Sequence, residues 1–279
     1  MDVTFGETGT TKQIREYCAK YGNDSSEKDL DFSNFIVLEK YKLVYCTVPK
    51  VACTVWKRIL ANLEGYNITQ GVHKKTKGKL KILSNYTTED RSKILKTYKN
   101  FMFVREPFER LLSAYKDCFW GKFKRRQKSW KHYRKEIRKL LAKRGGLDID
   151  VNVDNTTFEQ FATYLVLRWR EGGLFQDHWR EQYKLCHPCQ VQFDYVGHYE
   201  TLQDDAQFVL RKTKLDDRVS FPAWQPTNTN ALMKNYYSTL SLLRIRQLWN
   251  IYKKDFELFG YTYPGAIQMV VDNLVNDKL

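Results

Sequence analysis

The sequence has no apolar run that approaches the roughly 20 residues of a membrane-spanning helix. Its first segment, Met1–Lys20, is polar and lacks the apolar stretch of a secretory signal peptide. Internal repeats and low-complexity linkers are also missing from the sequence. These absences exclude a multispanning membrane protein and a repeat array. We expect either a soluble protein or a lumenal domain that has been separated from its membrane anchor.

Apolar and aromatic side chains are plentiful. Hydrophobic residues make up 42% and aromatic residues 15% of the 279 positions, which is enough for a sizeable core and excludes an intrinsically disordered chain. Residues 1–34 are polar and show no regular pattern, so we expect an irregular N-terminal lead-in. The remainder, residues 35–279, is predicted to form a single domain.

The positive charge is concentrated in two segments. The formal net charge is +15, of which Lys122–Arg144 carries +11, and the lysines at positions 74, 75, 77, 79 and 81 carry +5. The rest of the chain is therefore close to neutral. A single basic run is most often a solvated helix face, but two runs on a neutral scaffold indicate an anionic partner. Nucleic acid, an acidic glycan and a phosphorylated cofactor all fit this charge.

The six cysteines and four N-x-S/T sequons, at Asn23, Asn67, Asn85 and Asn155, favour a lumenal compartment. An even number of cysteines permits disulfides without fixing their pairing. Cys186 and Cys189 belong to a C-x-x-C motif, but no second such motif follows, which makes a zinc site a weak interpretation. A structural disulfide or a local clip is the favoured interpretation.

Strand–loop–helix patterns occur twice. The β-branched and aromatic segment Leu43–Val48 precedes a helix whose apolar face includes Ile59 and Leu63, and Thr54 is a candidate N-cap. The apolar segment Phe101–Val104 precedes a second helix that starts at Pro107. Two such units predict an α/β fold with a parallel sheet flanked by helices. Ligands bind such sheets beyond the carboxyl ends of the strands, where both loops lie.

The first loop, within Tyr45–Trp56, has the properties of an anion site. Backbone N–H groups at a helix start bind anions, and Lys50 adds a positive charge at the entrance to that site. The Walker pattern of phosphate-binding loops is absent, and the loop has no glycine. An ordinary strand-to-helix turn with a surface lysine is an equally good interpretation of this segment by itself.

The second loop, within Phe101–Tyr115, offers a guanidinium and a hydroxyl. Arg105 follows the buried strand, and Ser113 lies two turns into the next helix. A guanidinium is a planar, permanently charged group that suits phosphate, and a serine hydroxyl adds a further hydrogen bond. The alternative is that Arg105 pairs with Glu106 or Glu109 and that Ser113 is only a small helix residue.

Together the two loops resemble the nucleotide-binding signatures of the Golgi carbohydrate sulfotransferases. This group includes the chondroitin and dermatan 4-O-sulfotransferases, the GalNAc 4-O-sulfotransferases and the HNK-1 sulfotransferase. The segment Val48–Arg58 is similar to its 5′-phosphosulfate loop, and Phe103–Ala114 is similar to its 3′-phosphate site. The resemblance implies a P-loop-kinase-like sulfotransferase fold. It also implies PAPS (3′-phosphoadenosine 5′-phosphosulfate) as donor, no metal, and a type II membrane protein with its catalytic domain in the Golgi lumen.

The resemblance also implies roles for individual residues. Lys50 neutralises the charge that develops on the oxygen between sulfate and phosphate. The 5′-phosphate binds the backbone amides of four consecutive residues, Val51, Ala52, Cys53 and Thr54. Arg105 and Ser113 bind the 3′-phosphate. His73 is the first candidate for the general base that an acceptor hydroxyl needs, and His178 is the alternative. The alternative for His73 is a solvated loop residue beside Lys74 and Lys75, and His178, beside Trp179, is equally well explained as a packed structural residue.

The acceptor is expected to be an acidic glycan, and the resemblance favours the 4-hydroxyl of GalNAc in chondroitin or dermatan. A glucuronic acid 3-hydroxyl, as in HNK-1-like sulfation, stays open, and so does a non-catalytic protein that binds glycosaminoglycans. The sequence shows no nucleic-acid-binding motif, and the missing Walker pattern disfavours a kinase. We expect the basic segment, through Arg125, Arg126 and Lys128, to bind the acceptor polymer.

Overall fold

The computed structural model describes residues 9–22, 30–120, 130–144, 156–224, 229–262 and 267–268. The described residues group into two compact units. The first comprises those within Met1–Arg105, Glu181–Pro226 and Glu257–Gly260, and the second those within Glu106–Arg180, Thr227–Phe256 and Tyr261–Leu279. No helix in the described ranges combines the length and apolar character needed to cross a membrane.

The elements alternate along the chain between helices and short strands. In chain order they are α1 Gly9–Tyr21, β1 Phe35–Leu38, β2 Leu43–Cys46, α2 Cys53–Leu63, α3 Val72–Lys75, β3 Lys81–Ile82, α4 Thr88–Thr97, β4 Lys99–Val104, α5 Pro107–Cys118, α6 Lys131–Arg144, α7 Phe158–Arg170, α8 Gln182–Cys186, β5 Tyr195–His198, α9 Leu202–Lys212, α10 Thr229–Tyr237 and α11 Leu242–Phe259. Short 3₁₀ turns lie at Glu39–Tyr41 and Leu83–Asn85.

The five strands form one mixed sheet in the order β3-β1-β2-β4-β5. β2, β4 and β5 are parallel, whereas β1 is antiparallel to both β2 and β3. The expected α/β architecture is confirmed, but the sheet is parallel only in the part that carries the two loops. The antiparallel pair is a hairpin, which the left-handed Lys42 (φ 46°) closes after the 3₁₀ turn.

Aromatic packing joins β2, β4 and α2. Tyr45 and Phe101 are partners in the register of the parallel strands, with ring centroids 4.8 Å apart. Trp56 of α2 lies edge-on to Phe101 at 4.9 Å and also contacts Phe103. All four rings are buried, and pairs of this kind add about 0.5–1.5 kcal/mol each beyond area burial. This packing fixes α2, and therefore the loop before it, against the sheet.

Both cysteines of the C-x-x-C motif form structural disulfides, one of the two expected alternatives, and each bond is long-range rather than a local clip. Cys46 of β2 is bonded to Cys186, and Cys18 of α1 is bonded to Cys189. The second bond attaches an N-terminal helix to the first unit, so the segment expected to be irregular contains ordered structure. Cys53 and Cys118 are free and buried.

The second unit has its own aromatic core, built mainly from α5, α6, α7 and α11. Phe108 and Tyr115 of α5 are in this cluster, together with Phe161 of α7 and Tyr252 of α11. α6 lies within the basic segment, yet Arg134 is only 2% exposed and donates through Nη2 to the carbonyl oxygen of Cys118 (3.2 Å). Part of the positive charge in this segment therefore holds the unit together.

Candidate active site

The loop of residues 49–54, here called the phosphate loop, joins the end of β2 to α2. Lys50 and Ala52 both have left-handed backbone conformations, with φ of 71° and 53°. Residues with side chains rarely adopt them, at a cost of about 1–3 kcal/mol each, so strain of this kind often marks a functional site. Left-handed residues in a turn direct successive N–H groups to one side, which forms an anion-binding concavity.

The start of α2 adds to this concavity. Its N-cap residue is Ala52, and no side chain in the described part of the chain caps the helix. The Val55 N–H donates to the Ala52 carbonyl oxygen (2.9 Å), and the Val51 N–H donates to that of Val48 (3.3 Å). Among the described residues, the N–H groups of Ala52, Cys53 and Thr54 have no backbone acceptor and can bind an anion. Thr54 was expected to be the cap, but it lies inside the first turn and its hydroxyl has a different partner, the ring of His73.

Thr54 and His73 are joined by a hydrogen bond of 2.8 Å between Oγ1 and Nε2. Thr54 is the second residue of α2, and His73 lies on α3, a one-turn helix that begins after the left-handed Gly71. The first candidate base is therefore beside the phosphate loop. Eighteen residues separate Thr54 from His73, and nothing in the sequence indicated that the two side chains would meet.

Arg105 is also joined to the phosphate loop. It follows β4 directly, is 1% exposed, and donates through Nη1 to the carbonyl oxygen of Lys50 (3.3 Å). Its guanidinium carbon lies 3.9 Å from the centre of the Tyr199 ring, a cation–π contact. The two motifs recognised in the sequence thus meet at the carboxyl end of the parallel strands.

Gln182 holds the backbone of Arg105 and was missed in the sequence. Its Oε1 accepts a hydrogen bond from the Arg105 N–H (3.0 Å), and its Nε2 donates to the Arg105 carbonyl oxygen (2.8 Å). The side chain is completely buried. An isolated glutamine carries no recognisable signal, because only the fold brings it opposite a strand end 77 positions away.

His198 ends β5, the third parallel strand, opposite Val104 in the register. Burial, which disfavours the charged ring, lowers the pKa of His198, against smaller opposing effects of Glu200 and Asp205. The Thr10 hydroxyl lies 3.0 Å from its Nε2 atom. His198 was not singled out as a site residue in the sequence.

Ser113 and His178 belong to the second unit. Ser113 is half-buried on α5, which starts with Pro107 and is capped by the Glu106 side chain. His178 is held by Gln176, whose Oε1 lies 3.0 Å from Nδ1, and its ring packs edge-on to Trp130 at 5.0 Å. These contacts fit the alternative in which His178 is a packed structural residue.

The predicted acceptor residues Arg125, Arg126 and Lys128 lie outside the described residues. The described part of the basic segment, α6, presents four exposed lysines at successive four-residue intervals, which we call the lysine stripe: Lys131, Lys135, Lys139 and Lys143. Within the described ranges, none of these four lysines forms an ion pair.

Comparisons with known proteins agree with this geometry. The model of the Sulfotransferase family matches residues 33–262, and the chain belongs to that family. It is 34% identical over 248 residues to carbohydrate sulfotransferase 11 of Rattus norvegicus, covering 86% of this chain and 70% of the relative. It is 35% identical to carbohydrate sulfotransferase 14 of Danio rerio (84% and 63% covered) and to carbohydrate sulfotransferase 10 of Homo sapiens (83% and 67%). The search of solved structures gave no significant match.

The predicted enzyme class is therefore confirmed: the chain is a PAPS-dependent sulfotransferase. The residues present fit such a donor. The phosphate loop combines left-handed residues, an uncapped helix start among the described residues, and Lys50, which together suit a phosphate or sulfate group. The recognition of the family from two short motifs was correct.

Proposed function

We propose that this protein transfers a sulfuryl group from PAPS to a hydroxyl of an acidic glycan, with the 4-hydroxyl of GalNAc in chondroitin or dermatan as the first choice. The hydrogen bond from Arg105 to the Lys50 carbonyl carries the proposal, because it joins the two motifs at one strand edge. The family match runs through residues of both compact units. This supports the expectation that residues 35–279 act as one catalytic domain.

The donor is proposed to bind along the phosphate loop. The amides of Val51–Thr54 hold the 5′-phosphate, and Lys50 faces the oxygen between phosphorus and sulfur. Arg105 binds the 3′-phosphate. Its hydrogen bond to the Lys50 carbonyl oxygen also holds the phosphate loop in place. Ser113 stays a predicted 3′-phosphate ligand on the basis of the family resemblance.

Sulfuryl transfer requires an in-line approach of the acceptor hydroxyl and stabilisation of the departing oxygen. PAPS supplies the activated sulfuryl group. His73 is proposed to take the proton of the acceptor hydroxyl, since it is exposed to solvent and lies next to the loop. Lys50 then neutralises the negative charge left on the phosphate side of the broken bond.

The acceptor is proposed to be anionic because the basic segment carries +11, far more charge than one nucleotide requires. Arg125, Arg126 and Lys128 stay proposed acceptor ligands, and we propose the lysine stripe of α6 as a further part of the acceptor site. We also propose that the protein acts in the Golgi lumen and that its full-length form is a type II membrane protein. The two disulfides suit that oxidising compartment.

Replacement of Lys50 tests the proposal most directly. Lys50→Ala is expected to lower turnover about 100- to 1,000-fold, because the lysine acts on charge that develops in the transition state. PAP, the desulfated donor, should bind within a few-fold of wild type. Labelled PAPS offered with chondroitin, dermatan, heparan and N-glycan acceptors, followed by disaccharide analysis, measures turnover and identifies the sulfated hydroxyl.

Lys93→Ala, a change at an exposed lysine on α4, is the matched control and should retain full activity. Near-normal turnover of Lys50→Ala would remove this lysine from the mechanism. Failure of the wild-type protein to bind PAP without magnesium would contradict the whole proposal. Sulfation only of glucuronic acid would replace the GalNAc acceptor by the HNK-1-like one.

A further inference from the structure

We propose that Trp120, Lys116 and Tyr236 form a subsite for a uronic acid of the acceptor chain, in which the indole ring stacks on the sugar and the ammonium group binds its carboxylate. The inference rests on the proposed function, because it takes an acidic glycan as the acceptor. All three side chains belong to the second compact unit, and none has a role in the proposed donor site. The subsite would make them determinants of acceptor specificity.

Trp120 presents a large aromatic ring to solvent beside an anchored residue. Its neighbour Phe119 is 3% exposed, packs on Phe161 with the ring centroids 5.1 Å apart, and donates its N–H to the Tyr115 carbonyl oxygen (2.8 Å). Trp120 itself is 56% exposed. A tryptophan has few rotatable bonds, so such a ring offers a large contact area to a ligand at a low cost in conformational entropy.

Tyr236 extends this aromatic surface. Its ring lies edge-to-face with Trp120, with 6.4 Å between the centroids and an interplanar angle of 86°. Tyr236 is half-buried and also packs on Tyr115 and Phe158 in the core of the unit. Within the described ranges, the Tyr236 hydroxyl and the Trp120 indole N–H have no hydrogen-bond partner. Both polar groups can therefore bind sugar hydroxyls beside the aromatic face.

Lys116 supplies a cation next to the same ring. Its Nζ atom lies 5.5 Å from the centre of the Trp120 ring. Lys116 is half-buried, and in the described part of the chain its ammonium group has no ion-pair partner. Partial burial lowers the pKa of Lys116, because the charged form has lost some of its contact with water. A carboxylate bound here would compensate for that loss, and it would gain more than at a fully solvated lysine.

A uronic acid matches this cluster in both shape and charge. The C–H groups on one face of a pyranose ring are weakly positive, which suits the negative face of an aromatic ring. The carboxylate is the group that a neutral hexosamine lacks, so Lys116 would distinguish the uronic acid from GalNAc in the acceptor chain. In the sequence, Trp120 shortly precedes the proposed acceptor ligands Arg125 and Arg126. The same part of the chain would therefore provide several contacts with one polymer.

Acceptor kinetics with two matched polymers test the charge contact. Unsulfated chondroitin is compared with the same polymer after reduction of its uronic carboxylates to hydroxymethyl groups. Lys116→Met, which keeps an apolar stem, is expected to lower kcat/KM for chondroitin about 5- to 20-fold through KM. The kcat/KM for the reduced polymer and the KM for PAPS should stay within about 2-fold of wild type. Lys253→Met is the matched control and should behave like wild type, since Nζ of Lys253 lies 5.4 Å from the centre of the Trp249 ring.

Tryptophan fluorescence of the full chain measures the stacking contact without catalysis. An unsulfated chondroitin hexasaccharide is expected to change the emission of the wild type, and Trp120→Phe should lose this change. Trp169→Phe, which removes another exposed tryptophan (42%), is the control and should keep it. Trp120→Ala should raise the KM for both polymers by the same factor, about 10-fold, because stacking does not involve the carboxylate. Circular dichroism checks that each variant is folded.

Three results would overturn the inference. Equal losses for the two polymers in Lys116→Met, or no loss, would exclude a contact between this lysine and the carboxylate. Weaker PAP binding by Lys116→Met with unchanged acceptor kinetics would assign the lysine to the donor. A fluorescence change that persists in Trp120→Phe would exclude stacking on this ring.

In each of these cases the wild type still sulfates chondroitin, so the proposed function survives. A wild type that binds no PAP and transfers no sulfate would contradict the proposed function, and the inference would fail with it.

Discussion

At the scale of single residues, Arg105 is held through both its side chain and its backbone. Its guanidinium is bonded to the Lys50 carbonyl and lies over the Tyr199 ring, while Gln182 fixes its backbone. The guanidinium supports the phosphate loop, and we propose that it also binds the 3′-phosphate of the donor. Replacement of Arg105 is therefore expected to weaken binding of the 3′-phosphate more than it disturbs the phosphate loop.

Arg105→Ala is expected to lose about 2–4 kcal/mol of PAP affinity if the 3′-phosphate contact is bidentate and desolvated. Adenosine 5′-phosphosulfate, which lacks that phosphate, should lose only about 1 kcal/mol, the typical value of the remaining hydrogen bond to Lys50. Isothermal titration with both ligands measures the difference. Equal losses for the two ligands would limit Arg105 to supporting the loop.

The buried ring of His198 is expected to make the free energy of unfolding depend on pH. Because burial lowers its pKa in the folded protein, the unfolded chain takes up a proton at a higher pH than the folded chain does. The contribution to stability is therefore fully present above the unfolded pKa, about 6.5, and is lost as pH falls through the folded pKa. The free energy of unfolding should decline over this range.

The variant His198→Gln should show a flatter decline in denaturant titrations that cover about pH 7.5 to 5. His132→Gln, whose ring is exposed on α6, is the control and should follow the wild-type curve. Parallel curves for His198→Gln and wild type would exclude His198 as a source of the pH dependence.

At the scale of elements, helix α1 depends on a few contacts with the rest of the first unit. The Cys18–Cys189 disulfide holds it, and Gln13 Nε2 donates to the Glu257 carbonyl oxygen (2.8 Å). The Thr10 hydroxyl contacts His198. Cys46 of β2 and Cys186 of α8, in contrast, are completely buried.

Mild reduction should therefore open the two disulfides in a fixed order. We expect Cys18 and Cys189 to be alkylated first, because both are half-exposed, and Cys46 and Cys186 only on unfolding. Peptide mass spectrometry after limited reduction measures the order. The paired change of Cys18 and Cys189 to Ser should cost about 2–4 kcal/mol in unfolding free energy and speed amide exchange in α1. Simultaneous alkylation of all four cysteines would contradict this difference.

At the scale of the whole molecule, charge is divided between structural and exposed positions. In α6, Arg134 is buried and bonded, whereas the lysine stripe is exposed and repeats about every 6 Å along the helix. A repeating row of cations suits a polymer with regularly spaced anionic groups better than a single small anion. This surface is where we expect the acceptor chain to bind.

Replacement of Lys131, Lys135 and Lys139 by Ala should raise the apparent KM for polymeric chondroitin several-fold and leave the KM for PAPS and the stability unchanged. Added salt should mimic the change, since exposed charges are screened within about 10 Å at 0.1 M ionic strength. The same charge removed at exposed Lys40, Lys93 and Lys96 is the control. If long chondroitin is handled like wild type at low salt, the stripe is only a solvated helix face.

The sequence predicted the parts of this protein that depend on neighbouring residues. Local apolar patterns located β2 and β4 within two residues, and Pro107 marked the start of α5 correctly. The two motifs identified the family, because their residue order is itself the family's signature. A segment of weaker pattern was missed: α1 lies in the stretch that was expected to be irregular.

By itself, then, the sequence determined the enzyme class and the α/β fold, since these follow from contiguous residues. Only the tertiary structure decided which distant residues meet. Thr54 reaches His73 and Gln182 reaches Arg105 beyond the carboxyl ends of the parallel strands, and a disulfide joins Cys18 to Cys189. Side-chain type along the chain does not encode such pairings, because they depend on strand order and register, which the whole core sets together.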